Sequence, residues 1–129
     1  MKKILAILLY VLLSNVLTAQ IIEVKQDGTG DFTIIQEAVD ASSAGNTVLV
    51  WPGTYFENVN LTGKNITLAS LAFTTGDESY KYSTIINGNQ TGSCMYVSMP
   101  GTTLTIYGFT LMNGSGNIEN YWNYGGGGI

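Results

Sequence analysis

The sequence predicts an all-β fold: a parallel coil of short stacked strands, closed at its start by an amphipathic helix. Three observations predict it. First, the segments after Pro52-Gly53 are brief and apolar, each bounded by Gly, Asn or Pro. Second, Val48, Ile66, Ile85 and Leu104 are 18, 19 and 19 residues apart. One apolar strand per period of about 20 residues marks a stacked, quasi-one-dimensional architecture. Third, the stretch from Ile34 to Ala41 has one dry side and must lie against something. An antiparallel sandwich also shows short strands with Gly turns. It would not need the leading helix, and its hairpin turns would be tighter than the gaps here. A helical repeat is excluded by the two-residue alternation.

Residues 1–19 read as an export signal of bacterial type. Lys2 and Lys3 begin it, Ile4 to Leu13 is an apolar run, and Ala19 precedes the expected cut before Gln20. The run is short for a membrane span of about 20 apolar residues, and Ser14 and Asn15 interrupt it. The mature chain, 20–129, is then secreted or held at the cell surface.

Ile21 to Lys25 is a β-type run, and Asp27 to Gly30 has turn chemistry. Asp31 or Thr33 can cap the helix that follows, with Thr33-x-x-Gln36 at capping-box spacing. Ile34, Ile35, Ala38, Val39 and Ala41 form its apolar side, with Glu37 and Asp40 opposite. Ser42 to Asn46 ends it. Thr47 to Trp51 is continuously apolar, as in a strand buried on both faces. Glu57 to Leu61 alternates, with Val59 and Leu61 facing one way, and Asn65 to Ser70 alternates again. Thr74 to Tyr82 has no apolar period and is expected to leave the stack as a loop. Thr84 to Asn87, Cys94 to Ser98, Thr103 to Tyr107 and Phe109 to Met112 are the later strands.

The run Val24 to Thr33 (V-K-Q-D-G-T-G-D-F-T), with Gln36, Ala38, Gly53, Tyr55, Glu57-Asn58-Val59 and Lys64 to Leu68, resembles the beginning of a pectin methylesterase. More broadly it resembles the pectin-lyase-like right-handed parallel β-helix proteins, over about Ile22 to Gly114. The resemblance implies a right-handed parallel β-helix whose open end is capped by the helix. Each coil would stack about 4.8 Å below the last, and the lid would cover apolar side chains and unpaired edges. Asn87 and Asn113 would be either laddering asparagines between coils or ordinary turn residues. The motifs shared with the family belong to its cap and first coils, so they speak for architecture more than for a reaction.

Chemistry is sparse. Removing Lys2 and Lys3 leaves three lysines against nine acids, so the net charge goes from −4 to −6. The chain has no Arg and no His. That argues against nucleic acid, whose phosphates need clustered Lys and Arg, and it removes the usual general base and metal ligand. The resemblance implies a nucleophilic Asp, a second Asp, Gln side chains and an Arg on coils after Gly114, or an Arg or Asp cluster in the related lyases and polygalacturonases. Ser115 to Ile129 contains no Asp, Gln or Arg. No catalytic residue, metal ligand or cofactor is therefore assigned. Asp27 and Asp31 are expected to serve the turn and the helix start, Asp77-Glu78 to be solvated, and lone Cys94 to be a small buried hydrophobe.

Tyr121, Trp122 and Tyr124 are the candidate ligand-binding residues, because aromatic faces stack on sugar rings. The alternative is that they fold back on the coil. The Gly-rich end, Gly125 to Ile129, resembles the entry to another coil, so the chain is expected to be a fragment of about four or five coils of roughly 22 residues. The expected function is action on, or binding of, acidic polysaccharide. If the whole protein is catalytic, it is expected to be a pectinesterase-like carbohydrate esterase or a polysaccharide lyase, with this chain alone inactive. The other reading is a non-catalytic, adhesin-like surface repeat protein. The partner class is polysaccharide, with no nucleic acid and no membrane once the signal is removed; the oligomeric state is not readable.

Overall fold

The structure, a computed structural model, describes residues 18–98 and 103–116. In chain order its elements are β1 (Ile21–Val24), α1 (Ile35–Ala41), β2 (Thr47–Val50), β3 (Gly53–Phe56), β4 (Val59–Asn60) and β5 (Thr67–Ser70). Then come α2 (Ala72–Thr75), α3 (Tyr80–Ser83), β6 (Thr84–Asn87), β7 (Met95–Tyr96), β8 (Thr105–Tyr107) and β9 (Thr110–Met112). The strands form three parallel sheets, in the orders β1-β2-β5-β8, β3-β6-β9 and β4-β7. From β2 onward the chain visits the first, second and third sheets in turn and then begins again. Parallel pairing demands a crossover between partners, and here the other two sheets are that crossover.

Register makes columns of side chains. Ile22, Val48, Leu68 and Ile106 are successive partners in the first sheet. Tyr55, Ile86 and Leu111 are successive partners in the second, and Val59 pairs with Met95 in the third. These columns, apart from the exposed Ile106, form the apolar core with Val24, Val50, Leu61, Ile66 and Cys94. The strands alternate because neighbours point to opposite faces. Val59 and Leu61 are both buried and Asn60 between them is exposed. Cys94 is buried, its Sγ donating to the Met112 carbonyl at 3.2 Å.

The expected strands are present within a residue or two, and Thr84–Asn87 has the bounds read from the sequence. Three expectations are corrected. Gly53-Thr54-Tyr55, where Pro52-Gly53 predicts a turn, begins β3 and pairs with Thr84, Ile85 and Ile86. The even spacing of Val48, Ile66, Ile85 and Leu104 mixes sheets, because Ile85 belongs to the second. True partners in the first sheet, Ile22, Val48, Leu68 and Ile106, are 26, 20 and 38 residues apart. Strand lengths are held by pairing, but the connections between strands are free to vary. Thr74 to Tyr82 does leave the stack, yet it is built from α2 and α3 rather than from loop alone. Of the two readings left open for Asn87 and Asn113, the structure has turn residues rather than a ladder. Asn87 is level with Met112, and its Oδ1 accepts from Asn89 N at 2.9 Å as a turn residue does.

The helix is a lid fastened by side chains. Ile35, Ala38 and Val39 are buried, at positions i, i+3 and i+4. Ile34 and Ala41, expected on that face, are exposed, since Ile34 precedes the helix and Ala41 has turned past the buried stripe. The capping box does not form: residue 34 is the N-cap and makes no side-chain cap. Glu57 supplies it instead, its carboxylate accepting from Ile35 N and Gln36 N, both at 2.9 Å. At the other end Lys64 Nζ donates to the carbonyls of Asp40 and Ser42, at 3.3 and 3.2 Å. An anion at the start and a cation at the end both match the helix dipole.

The released Gln36 side chain has another task. Its Oε1 accepts from Asn60 N at 2.7 Å and its Nε2 donates to Asn60 O at 3.2 Å. One amide thus stands in for a neighbouring strand along the edge of β4. Gln26 Nε2 donates to Thr54 O on the edge of β3, at 2.7 Å. The edge of β1 is met by residues 31 and 32: Asp31 N and Phe32 N donate to Glu23 O, Lys25 N donates to Phe32 O, and Asp31 Oδ2 accepts from Glu23 N. Gly30 sits in this turn because a Cβ there would lie 2.8 Å from Glu23 O.

Candidate binding cleft

The side chains just past β1 and β2 meet outside the first sheet. Val24 is level with Val50, so Lys25 and Trp51 follow side by side, and Trp51 N continues the ladder by donating to Val24 O at 3.0 Å. Lys25 Nζ lies 4.0 Å from the centre of the Trp51 ring, a cation–π contact. Glu23, two residues before Lys25, shares its face of the strand. Its carboxylate joins both neighbours: Oε2 is 2.9 Å from Lys25 Nζ, and Oε1 accepts from Trp51 Nε1 at 3.3 Å. Ladder register therefore builds a Glu23–Lys25–Trp51 cluster from residues up to 28 positions apart.

Beside the cluster is a cleft of about 490 Å³ lined by Lys25, Gln26, Asp27, Thr29, Trp51 and Pro52. Its volume falls within the range of about 300–1,000 Å³ usual for small-ligand sites. Trp51 and Pro52 form the apolar wall. Asp27 Oδ1 accepts from both the N–H and the hydroxyl of Thr29, at 2.9 and 2.7 Å. These bonds hold the Asp27 carboxyl below its usual range, the backbone bond most strongly. Gln26 is fixed by Thr54. Behind the cleft, the buried Tyr55 hydroxyl donates to Trp51 O at 2.9 Å. Its burial, with Glu57 and Asp27 nearby, pushes the phenol up to about 12.

The lining combines apolar and hydrogen-bonding groups. It offers an indole, a proline, a carboxylate, a hydroxyl and an amide, without an acid–base pair set across a gap. Among the described residues no group of three Cys, Asp or Glu side chains is placed to hold a metal ion. Asp27 serves the turn through Thr29, Asp31 closes the β1 edge through Glu23 N, and the helix start expected of them is taken by Glu57. Glu78 is exposed, as expected, and its carboxylate also accepts from the Tyr107 hydroxyl and pairs with Lys81 at 3.4 Å.

Tyr121, Trp122 and Tyr124, the stacking candidates read from the sequence, lie outside the described residues, as do residues 1–17 of the expected signal. Among the described residues no helix is long and apolar enough to cross a membrane. The cleft itself was not foreseen. Trp51 reads as the last residue of an apolar strand and Lys25 as the last of another, and only their shared register joins them. No protein-family model matches the chain, and no curated protein matches it.

Proposed function

We propose that this chain forms a secreted, right-handed parallel β-helix of the pectin-lyase-like class, and that it binds polysaccharide through the Trp51 cleft. The observation that carries the reading is the rotation of the chain through three parallel sheets beneath a fastened helix. The resembling residues support it further. Glu57 and Lys64 fasten the helix ends, Gln36 ties the helix to Asn60, and Gln26 and Asp31 close the edges of β3 and β1. A flat aromatic wall beside fixed hydrogen-bonding groups is the usual chemistry of sugar recognition.

In a catalytic full-length protein, the reaction this reading favours is pectin methylesterase-like de-esterification. A non-catalytic, adhesin-like surface protein is the second reading, favoured by the lack of Arg and His throughout the 129 residues. The two Trp residues allow a direct test. In a Trp122→Phe background, oligosaccharide binding is expected to shift Trp51 emission saturably, and Trp51→Ala should abolish binding measured by calorimetry. Unchanged calorimetric binding in Trp51→Ala would remove the cleft from the reading. Methanol release from methylated pectin, absent for this chain and measured on the full-length protein, separates esterase from adhesin.

A further inference from the structure

We infer that the Trp51 cleft selects neutral glycan chains and rejects polyuronates; the inference rests on the polysaccharide reading above and goes against the acidic substrate that the resemblance suggests. Recognition of a uronate needs a cation or several free N–H donors aimed at its carboxylate. The cleft has one cation, Lys25, and it is already committed. Its Nζ pairs with Glu23 at 2.9 Å and covers the Trp51 ring at 4.0 Å. To serve a ligand carboxylate it would have to leave both.

The remaining charge is negative. Asp27 lines the cleft, and Thr29 favours its ionised form. Glu23, beside the cleft, neutralises Lys25, which leaves the Asp27 carboxylate as the uncompensated charge of the lining. No second cation is at hand among the described residues. Lys64 is held by Asp40 and Ser42 at the lid, and Lys81 pairs with Glu78 on the excursion after β5. The chain has no Arg.

The same groups suit a neutral pyranose. The C–H face of the ring packs on Pro52 and on the part of Trp51 that lines the cleft beside Lys25. The Asp27 carboxylate accepts from sugar hydroxyls as a charge-assisted bond, and its Oδ2 makes no other hydrogen bond among the described residues. The Thr29 hydroxyl is also at the wall. A carboxylate that attracts hydroxyl donors repels another carboxylate, so one residue both favours the neutral chain and disfavours the acidic one.

The test titrates the full chain, as the Trp122→Phe variant, with cellohexaose, galactohexaose and hexagalacturonate at low ionic strength. At least one neutral hexaose is expected to bind at least tenfold more tightly than hexagalacturonate. The gap should shrink as salt is raised toward 1 M, where screening extends over about 3 Å. Glu23→Gln, which frees Lys25, should tighten hexagalacturonate several-fold relative to the neutral chain. Equal or tighter binding of hexagalacturonate at low salt overturns the inference and leaves the polysaccharide reading standing. Binding of none of the three overturns both.

Discussion

The upstream and downstream sides of the described strands differ in what covers them. At the upstream end every sheet edge is answered by a polar group from the chain itself: residues 31 and 32 for β1, Gln26 for β3 and Gln36 for β4. Above them the helix is held by Glu57 and Lys64. Inward residues there, such as Ile35, Val39 and Val48, are fully buried. At the downstream side, β8 is exposed along its length. Leu68 and Ile106 stand in one column, yet Leu68 is 0 % exposed and Ile106 is 43 %. In a stacked fold a side chain is dried by the layers on both sides of it. Chemical identity and register do not settle its contribution; its neighbours do.

The sharpest way to break this comparison is a matched pair of truncations. Leu68→Ala should cost about 3 kcal/mol, as expected for a fully buried leucine leaving a cavity. Ile106→Ala should cost about 1 kcal/mol, because much of its surface already meets water. Urea denaturation of each variant measures the difference. Equal losses would mean that Ile106 is covered as well as Leu68 is.

The next effect tests the lid. Glu57→Ala leaves the N–H groups of Ile35 and Gln36 without their charged acceptor and should cost about 2 kcal/mol. Glu57→Gln should cost about half as much, since one amide oxygen can accept one N–H while the amide NH₂ faces the other. A variant as stable as the parent would show that water satisfies this helix end.

These contrasts also explain what the sequence could reveal. Strands were legible where alternation is local, as in Thr84–Asn87, Val59 and Leu61. β3 was hidden because Pro52-Gly53-Thr54 carries turn residues, and only pairing with β6 makes it a strand. The period was misread because the excursion after Ser70 lengthens one circuit of the chain without disturbing strand register. Thr33 and Gln36 had capping-box spacing, but Glu57, 21 residues beyond Gln36, took that role and freed Gln36 for Asn60. The cleft was illegible for the same reason. Glu23, Lys25 and Trp51 meet through ladder register, which no local pattern encodes.

A smaller loss isolates the edge chemistry. Gln36→Ala removes two hydrogen bonds to Asn60, a residue that water can also reach, and should cost about 0.5–1 kcal/mol. The clearer readout is hydrogen exchange. The Asn60 amide should lose protection while the Val48 amide, inside the first sheet, keeps it. Equal loss at both would mean that the whole lid has loosened rather than one edge.

The smallest change at neutral pH is expected from Tyr55→Phe, which removes a hydroxyl and keeps the buried ring. It should cost under about 1 kcal/mol. Tyr55 is the upstream member of the column that continues as Ile86 and Leu111, and only there does a hydroxyl reach a carbonyl, Trp51 O. Burial, reinforced by Glu57 and Asp27, raises the phenol from 10.0 to about 12. The folded chain therefore keeps this proton while the unfolded chain releases it. The stability contributed by the protonated phenol is whole below pH 10.0 and is lost as pH rises through about 12. The parent should lose stability more steeply than Tyr55→Phe across that window, measured as urea midpoints. Parallel curves would place the hydroxyl in water and open the upstream end at the very column where it is closed by chemistry rather than by packing.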